Sequence, residues 1–329
     1  QLDYAFLNKK GELNDLDGED SGGEADEENV EEETESKVKL TVLVLKDRKT
    51  KYVTASVVPR KGDHPYTVRR VGEDLANIMG YKRVILKSDQ ERAIKKLKAA
   101  VRREYSLEIP EEQSAVGDSQ SNGEIEVTIQ VVEGQVRTLK CQIEARLGCE
   151  LQVDHDVLPW LVRHAGATIS RYQRGLDGMT GYRRLRGREY DRPTVEFGEC
   201  IWYLRPNHLK KSKIEPRWET GVYLGSREES NEIIIGTAEG VIKARSFRRK
   251  GSNEQRWDQD TILGVKGVPW QPNPRVKSFE ITTQVHFPTD VPVGVINPAH
   301  REFRSRRLKI TKRDLDVHGR TVRCPGCDD

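Results

Sequence analysis

The sequence predicts an α/β protein whose mixed sheet is covered by helices, followed by a small β-barrel and an extended C-terminal segment. Up to about residue 187, alternating or β-branched runs are interleaved with helical patterns, which is typical of a sheet flanked by helices. Beyond that point, four short strand patterns separated by turn residues favour a small barrel. After residue 250, repeated prolines indicate mostly extended chain.

The predicted elements follow the chain in order. Residues 2–8 alternate apolar side chains on one face and predict a strand, and residues 39–59 hold two β-branched runs around Asp47–Thr50, which predicts a hairpin. Residues 83–89 predict a short buried strand with a polar end, and a further strand is expected near residues 107–110. Apolar residues at helical spacing predict helices at 64–80, 91–105, 121–147 and 158–174.

The charge of the chain is unevenly distributed. Residues 11–36 hold thirteen Asp or Glu and no Lys or Arg, and this segment predicts a disordered acidic loop. Removing those thirteen negative charges from the net charge of +3 leaves +16 for the rest of the chain. A basic body of this kind favours a polyanion-binding surface, although a merely soluble basic surface stays open as the alternative.

Other features of the composition narrow the class of protein. Five cysteines, scattered over 329 residues, favour a reducing compartment over a disulfide framework. No apolar run approaches the roughly 18 residues of a membrane-spanning helix, so no membrane partner is expected. The first residue is not Met and no signal-like segment follows it, which leads us to expect a processed product or a fragment.

Three carboxylates stand at positions where predicted elements could bring them together. Asp89 ends a predicted strand, Asp3 lies in the first strand, and Glu126 lies in a predicted helix 37 positions after Asp89. Carboxylate oxygens are suited to two Mg²⁺ ions, which assist phosphoryl transfer. Asp47 is a rival for the first ligand, but it falls at a predicted turn, where Asp is common for local reasons. Glu124 and Glu126 both follow Asn-Gly, and the pattern alone also allows two ordinary first-turn acids.

The first part of the chain holds an ordered set of motifs: LDYAF, LVLKDRKTKYVTASVVPRKG, ILKSDQE, SAVGDSQSNGEIE and RYQRGLDGMTGYRRLRGR. The set continues through FGECIWYL, RWETGVYLG and GVIKARSFRR. Together these motifs resemble the integrase catalytic core of copia-type retrotransposons and the β-rich region that follows it. The resemblance implies a ribonuclease-H-like catalytic core over residues 1–187, with 11–36 as an insertion. An SH3-like β domain is implied over 188–250, and we expect 251–329 to be mostly extended.

The resemblance also implies an activity and its site. It identifies Asp3, Asp89 and Glu126 as a catalytic triad that binds two Mg²⁺ (or Mn²⁺) ions, and it leaves Glu124 at a variable position. The implied function is processing of retroelement DNA 3′ ends and their strand transfer into target DNA. A homo-oligomer in the nucleus, with a possible cytoplasmic particle stage, is expected by the same resemblance.

Two alternatives to an active integrase follow from the residues. Similar enzymes often carry lysines one and two turns after the glutamate, where this chain has Gln130 and Glu133. This departure favours a decayed or domesticated element that binds nucleic acid without catalysis. A nuclease of the same fold that cuts RNA in hybrids is less favoured, because a β-rich region follows the core.

Basic residues and one cysteine pair complete the candidate sites. We expect contacts with DNA phosphates from ten residues: Arg137, Lys140, Arg183, Arg184, Arg186, Arg188, Lys243, Arg245, Arg248 and Arg249. Simple solvation of the same side chains remains the alternative for each group. Cys324 and Cys327 have the spacing of half a tetrahedral Zn²⁺ site, and a reading as two free thiols is equally open.

Overall fold

The computed structural model describes residues 1–7, 40–88, 91–110, 123–193, 195–204 and 216–285. The first sheet is antiparallel and has the order β1-β2-β3, formed by β1 (Leu2–Leu7), β2 (Leu40–Lys46) and β3 (Val53–Val58). Strands β2 and β3 are the two arms of the predicted hairpin, whose β-branched residues suit a pleated, buried surface. The predicted acidic loop, residues 11–36, lies outside the described residues.

Helices cover both faces of this sheet. The helices are α1 (Pro65–Gly72), α2 (Arg92–Tyr105), α3 (Gly123–Leu147), α4 (Leu158–Tyr172) and α5 (Gly181–Arg186). Because strand side chains alternate between faces, Leu2 and Tyr4 join α1 and α2 in one core, while Ala5 and Leu7 join α3 and α4 in another. The predicted helix at 64–80 is interrupted, since a π-helical segment, Glu73–Ile78, follows α1.

The segment before Asp89 extends the sheet through isolated hydrogen bonds. The backbone N–H of Leu2 donates to the carbonyl of Lys87 at 3.0 Å, and Arg83 forms a parallel bridge with Glu108. The expected short strand at 83–89 is therefore an extended segment beside β1 and not a regular strand over its described part. Ile85, expected to be buried, is 57% exposed.

A second antiparallel sheet contains the four predicted strand patterns of the β-rich region. Its order is β7-β6-β5-β4-β8. The strands are β4 (Cys200–Leu204), β5 (Trp218–Ser226), β6 (Ile233–Gly236), β7 (Val241–Ala244) and β8 (Phe247–Arg249). The order is linear, and a closed barrel is not shown for the described residues.

The described part of the chain after residue 250, residues 251–285, begins with helices where the sequence predicted extended chain. Two short helices, α6 (Asn253–Arg256) and α7 (Gln259–Leu263), occupy its first part. The side chain of Ser252 accepts a hydrogen bond from the N–H of Gln255 and caps α6, a local signal that the proline pattern obscured. Trp257 and Ile262 are buried in the core that α3 and α4 share with the second sheet.

Within the described ranges, no helix has both the length and the apolar character needed to cross a membrane.

Candidate active site

Asp3 lies on the face of the first sheet that α3 covers. It shares this face with Ala5 and Leu7, which pack in the same core as Ile125 of α3. It pairs with Val44 of β2, and its carboxylate accepts a hydrogen bond from the N–H of Tyr4 at 2.8 Å. Asp3 is half-buried.

The first turn of α3 carries two glutamates with different surroundings. Ile125 is 1% exposed and fixes the buried face of the helix. The Glu124 carboxylate contacts Lys51 Nζ at 2.7 Å and Lys46 Nζ at 3.3 Å, whereas Glu126 is exposed. Two positions on a helix differ by about 200°, so Glu126 projects away from the β2–β3 turn that Glu124 reaches.

The electrostatics of Glu124 reflect its partners. Burial acts to raise the pKa of its carboxyl, but a hydrogen bond from Lys51 and the positive charge of Lys46 hold that pKa below its ordinary value. Glu124 is therefore ionised and engaged in ion pairs at neutral pH. A metal ion at this carboxylate would have to compete with three cationic groups, the third being Arg48 at 3.6 Å.

Asp89 itself lies outside the described residues. Its predecessors are described, and Ser88 is buried next to Lys87, whose carbonyl pairs with Leu2. The chain that leads to Asp89 therefore runs beside β1, one residue from Asp3. The described part of this segment, up to Ser88, thus lies beside the strand that carries Asp3, and the pairing of Asp3 with Asp89 stays a prediction.

The rival ligand Asp47 has the turn role that the sequence suggested. Its carboxylate accepts hydrogen bonds from the N–H of Thr50 at 3.0 Å and from the hydroxyl of Tyr81 at 3.0 Å. Burial acts to raise its pKa, but these hydrogen bonds, led by those from Thr50, hold the pKa below its ordinary value. The carboxylate stabilises the β2–β3 turn.

The carboxylates of Asp3 and Glu126 are donors of the kind that suits a hard cation, but the described residues do not form a complete metal site. Among the described residues, no group of three or more His, Cys, Asp or Glu side chains is arranged to hold a metal ion. Asp3 and the exposed Glu126 offer carboxylate oxygens, the donors that Mg²⁺ prefers. Cys324 and Cys327, the proposed partial zinc site, fall outside the described ranges.

Several of the ten basic residues predicted to contact DNA are paired within the protein. Lys140 pairs with Glu144, Arg183 with Glu189 and Arg184 with Asp177. Lys243 and Arg245 both contact Glu232, and Arg249 binds the fully buried Glu199 at 2.6 Å.

The remaining predicted basic residues keep exposed or aromatic surroundings. Arg137, Arg186 and Arg188 are exposed. The guanidinium of Arg248 lies 4.8 Å from the ring centroid of Trp218, and Arg248 is exposed. Trp202 of β4 is 39% exposed and lies under the ammonium of Lys250.

The sequence reasoning missed a cationic group beside the carboxylates. Lys46, Arg48 and Lys51 surround Glu124. The run KDRKTK was used to predict a turn, and its four cations within six residues were a charge signal at the same position. Next to them lies a groove of about 490 Å³ between α3, α4 and the segment before α5, with Val127, Val131 and Ile169 in its lining.

Comparisons with known proteins leave the family open. No family model matches the chain. No curated protein matches it either. A chain from the "CryoEM structure of simian T-cell lymphotropic virus intasome in complex with PP2A regulatory subunit B56 gamma" is similar at a TM-score of 0.31 and 10% identity. The match covers 65% of this chain and 76% of that one, and a likeness of this size carries no argument about the fold.

Proposed function

We propose that this chain is the integrase region of a copia-type retrotransposon and catalyses Mg²⁺-dependent processing and strand transfer of DNA 3′ ends. The observation that carries the proposal is the convergence of three segments at one end of the first sheet. Asp3 lies on β1, and the chain that leads to Asp89 runs beside Leu2. Glu126 stands in the first turn of α3, where the neighbouring Ile125 packs in the same core as Ala5 of β1. This arrangement supports a D, D, E site of the kind that the sequence resemblance implies.

The order of the sheet supports a ribonuclease-H-like core. Three antiparallel strands are followed, on the β1 side, by the extended segment that leads to Asp89. That segment is bridged in parallel to the chain at Glu108. A mixed sheet with helices on both faces is the architecture expected of that fold class, and the linear second sheet would correspond to the SH3-like region.

The proposed chemistry is phosphoryl transfer in two similar steps. Two Mg²⁺ ions bound by the three carboxylates would activate the attacking oxygen and stabilise the leaving one. In end processing, a water oxygen bonds to phosphorus while the bond to the 3′ oxygen breaks, and that oxygen leaves as a 3′-hydroxyl. In strand transfer, the oxygen of this hydroxyl bonds to the phosphorus of a target phosphodiester and gives its proton to solvent, while the bond to the target 3′ oxygen breaks and that oxygen takes up a proton from solvent as it leaves.

The described carboxylates near the start of α3 differ in how well they suit this scheme. Asp3 holds its carboxylate at a fixed place because it lies within a paired strand. Glu126 is exposed on a helix whose neighbouring Ile125 is buried, so its position is fixed while its carboxylate stays accessible. Glu124, engaged by three cations, is the weaker candidate of the two glutamates.

The test is cleavage and strand transfer on labelled duplex DNA with Mg²⁺ or Mn²⁺. Asp3→Asn, Asp89→Asn and Glu126→Gln each remove one negative charge, and we expect a loss of at least roughly a hundredfold in each. Glu104→Gln, an exposed change of the same kind on α2, is the matched control. A second readout needs no turnover: Mn²⁺ should raise the unfolding temperature of the wild type but not of Asp3→Asn. Full activity in Glu126→Gln would refute the assignment.

A second candidate function is a catalytically decayed module that binds nucleic acid. The observation that favours it lies on α3, where Gln130 is exposed and Glu133 follows one turn later, at positions where similar enzymes grip DNA with lysines. Salt-sensitive DNA binding without cleavage in the wild type, at any divalent cation concentration, would support this function over the first.

A further inference from the structure

The side chains around Glu124 form a concentrated positive surface. Lys46, Arg48 and Lys51 all lie within 4 Å of its carboxylate, at 3.3, 3.6 and 2.7 Å. One carboxylate cannot neutralise three cations, so the group, which we call the hairpin cation cluster, keeps an excess of about two positive charges. The side chain of Arg48 is 79% exposed and that of Lys51 is 46% exposed, so both can still reach a ligand in solvent.

The surroundings of the cluster hold it in one conformation. Asp47 caps the turn, and Arg184 Nη1 donates a hydrogen bond to the carbonyl of Thr50 at 3.3 Å. Gly181 packs directly on Lys51, where a Cβ atom would come within 2.8 Å of the Lys51 carbonyl oxygen. Lys51 itself has a left-handed φ of 62°, which the packing must maintain. A braced turn loses less conformational freedom on binding than a flexible one.

The cluster lies next to the candidate active site. Glu124 precedes Glu126 by two residues, which corresponds to about 3 Å along the helix axis. Lys46 is the last residue of β2, two positions beyond Val44, the partner of Asp3. The adjacent groove is also lined by two further cationic residues, Arg174 and Arg184, and by the acidic residue Asp177.

We propose that the hairpin cation cluster binds the phosphodiester backbone of the nucleic acid strand that enters the active site. The inference rests on the proposed function, because the active-site carboxylates identify the ligand as a nucleic acid. It assigns to the β2–β3 turn the positively charged phosphate contacts that α3 lacks at Gln130 and Glu133. Glu124 holds the cations together and is a positioning residue, while Arg48 and Lys51 contact the phosphates.

The experiment is the salt dependence of DNA binding. Fluorescence anisotropy would follow a labelled duplex at several salt concentrations, without divalent cations, so that binding is measured independently of catalysis. Each lost phosphate contact lowers the slope of log K against log[salt] by about 0.9. For Arg48→Gln/Lys51→Gln we therefore expect a slope smaller by about 2 and an affinity lower by roughly ten- to a hundredfold near 0.1 M salt.

The matched control removes the same charge from the other face of the sheet. Lys95→Gln/Lys96→Gln changes two exposed lysines of α2, whose core lies opposite to that of α3. Its slope should equal that of the wild type. Circular dichroism and urea unfolding of both double variants establish that each is folded.

The outcomes separate this inference from the proposed function. A smaller slope in the cluster variant supports the inference even if no protein cleaves DNA, in which case only the proposed chemistry falls. Cleavage by the wild type together with an unchanged slope overturns the inference and keeps the proposed function. An unchanged slope together with cluster-dependent binding of a labelled polyglutamate peptide would assign the cluster to an acidic protein partner and also overturn the inference.

Discussion

Replacing His164 is expected to change how the stability of the protein responds to acid. His164 lies on α4, where its ring centroid is 5.1 Å from that of Phe197 and 6.0 Å from that of Tyr223 in the second sheet. Its Nδ1 atom is buried without a hydrogen-bond partner among the described residues. Burial, assisted by the positive charge of Arg171, lowers the pKa of His164 from 6.5 to about 4.

The sign of the effect follows from proton binding. Between pH 6.5 and pH 4 the unfolded chain binds a proton at His164 that the folded protein does not bind. The contribution of His164 is therefore complete above pH 6.5 and is lost as the pH falls toward 4. At about 1.4 kcal/mol per pH unit, two units of acidification to pH 4.5 lower the free energy of unfolding by about 2 to 3 kcal/mol.

Urea unfolding at pH 7 and pH 4.5 tests this reasoning. His164→Phe cannot titrate, so its free energy of unfolding should fall by about 2 to 3 kcal/mol less than that of the wild type over this interval. The control Ile169→Val removes one buried methyl group from the same helix. It should cost about 1 kcal/mol at both pH values and leave the difference between them unchanged. Equal acid sensitivity in the wild type and His164→Phe would refute the argument.

Three further changes test the packing on which the site depends. In Gly166→Ala, the new Cβ would lie 2.6 Å from the backbone nitrogen of Ala55. We expect urea unfolding to show a free energy of unfolding lower by about 1 to 3 kcal/mol, and an unchanged value would mean that α4 is not so close to β3. Glu228→Gln removes the buried charged partner that Arg163 binds at 2.9 Å. The free energy of unfolding at pH 7 should fall by about 3 to 5 kcal/mol, and a small decrease would contradict the ion pair. Trp257→Ala should lower stability by about 3 to 5 kcal/mol, and an unchanged thermal midpoint would contradict the packing of the chain after residue 250 on the core.

Local patterns in the sequence were sufficient to predict most of the regular elements. The β-branched runs on both sides of Asp47–Thr50 became β2 and β3, and the apolar spacing at 91–105 became α2. These patterns are local because each helix or strand buries one of its faces, and that face sets the spacing of its apolar residues along the chain. The π-helical segment Glu73–Ile78 had no such signal, since its apolar residues also fit an α-helix.

The features that escaped prediction depend on contacts between distant residues. Arg163 and Glu228 are 65 positions apart, and they meet in the interior because α4 packs against the loop after β5. Glu124 and Lys51 are 73 positions apart. Charged residues at such separations carry no periodicity, so the sequence could identify each as charged but could not identify its partner. The same reason explains why basic residues predicted to face DNA, such as Arg249, are bound to internal carboxylates.

The second sheet shares its interior with the helices that cover the first, and this constrains how a nucleic acid could lie on the protein. Trp160 of α4 is fully buried, and its Nε1 donates a hydrogen bond at 2.8 Å to the carbonyl of Gly267. Arg70 and Arg163 meet Glu228 in the same region, where all three side chains are largely buried. A hinge between the two sheets would expose both this apolar core and these charges to water, and each exposure is unfavourable. The predicted boundary near residue 187 therefore separates two sequence patterns within one packed body. We therefore expect basic residues of the second sheet, such as Arg248, to keep a constant position relative to Glu126. A nucleic acid strand of the proposed kind that contacted both would follow a path set by the folded protein.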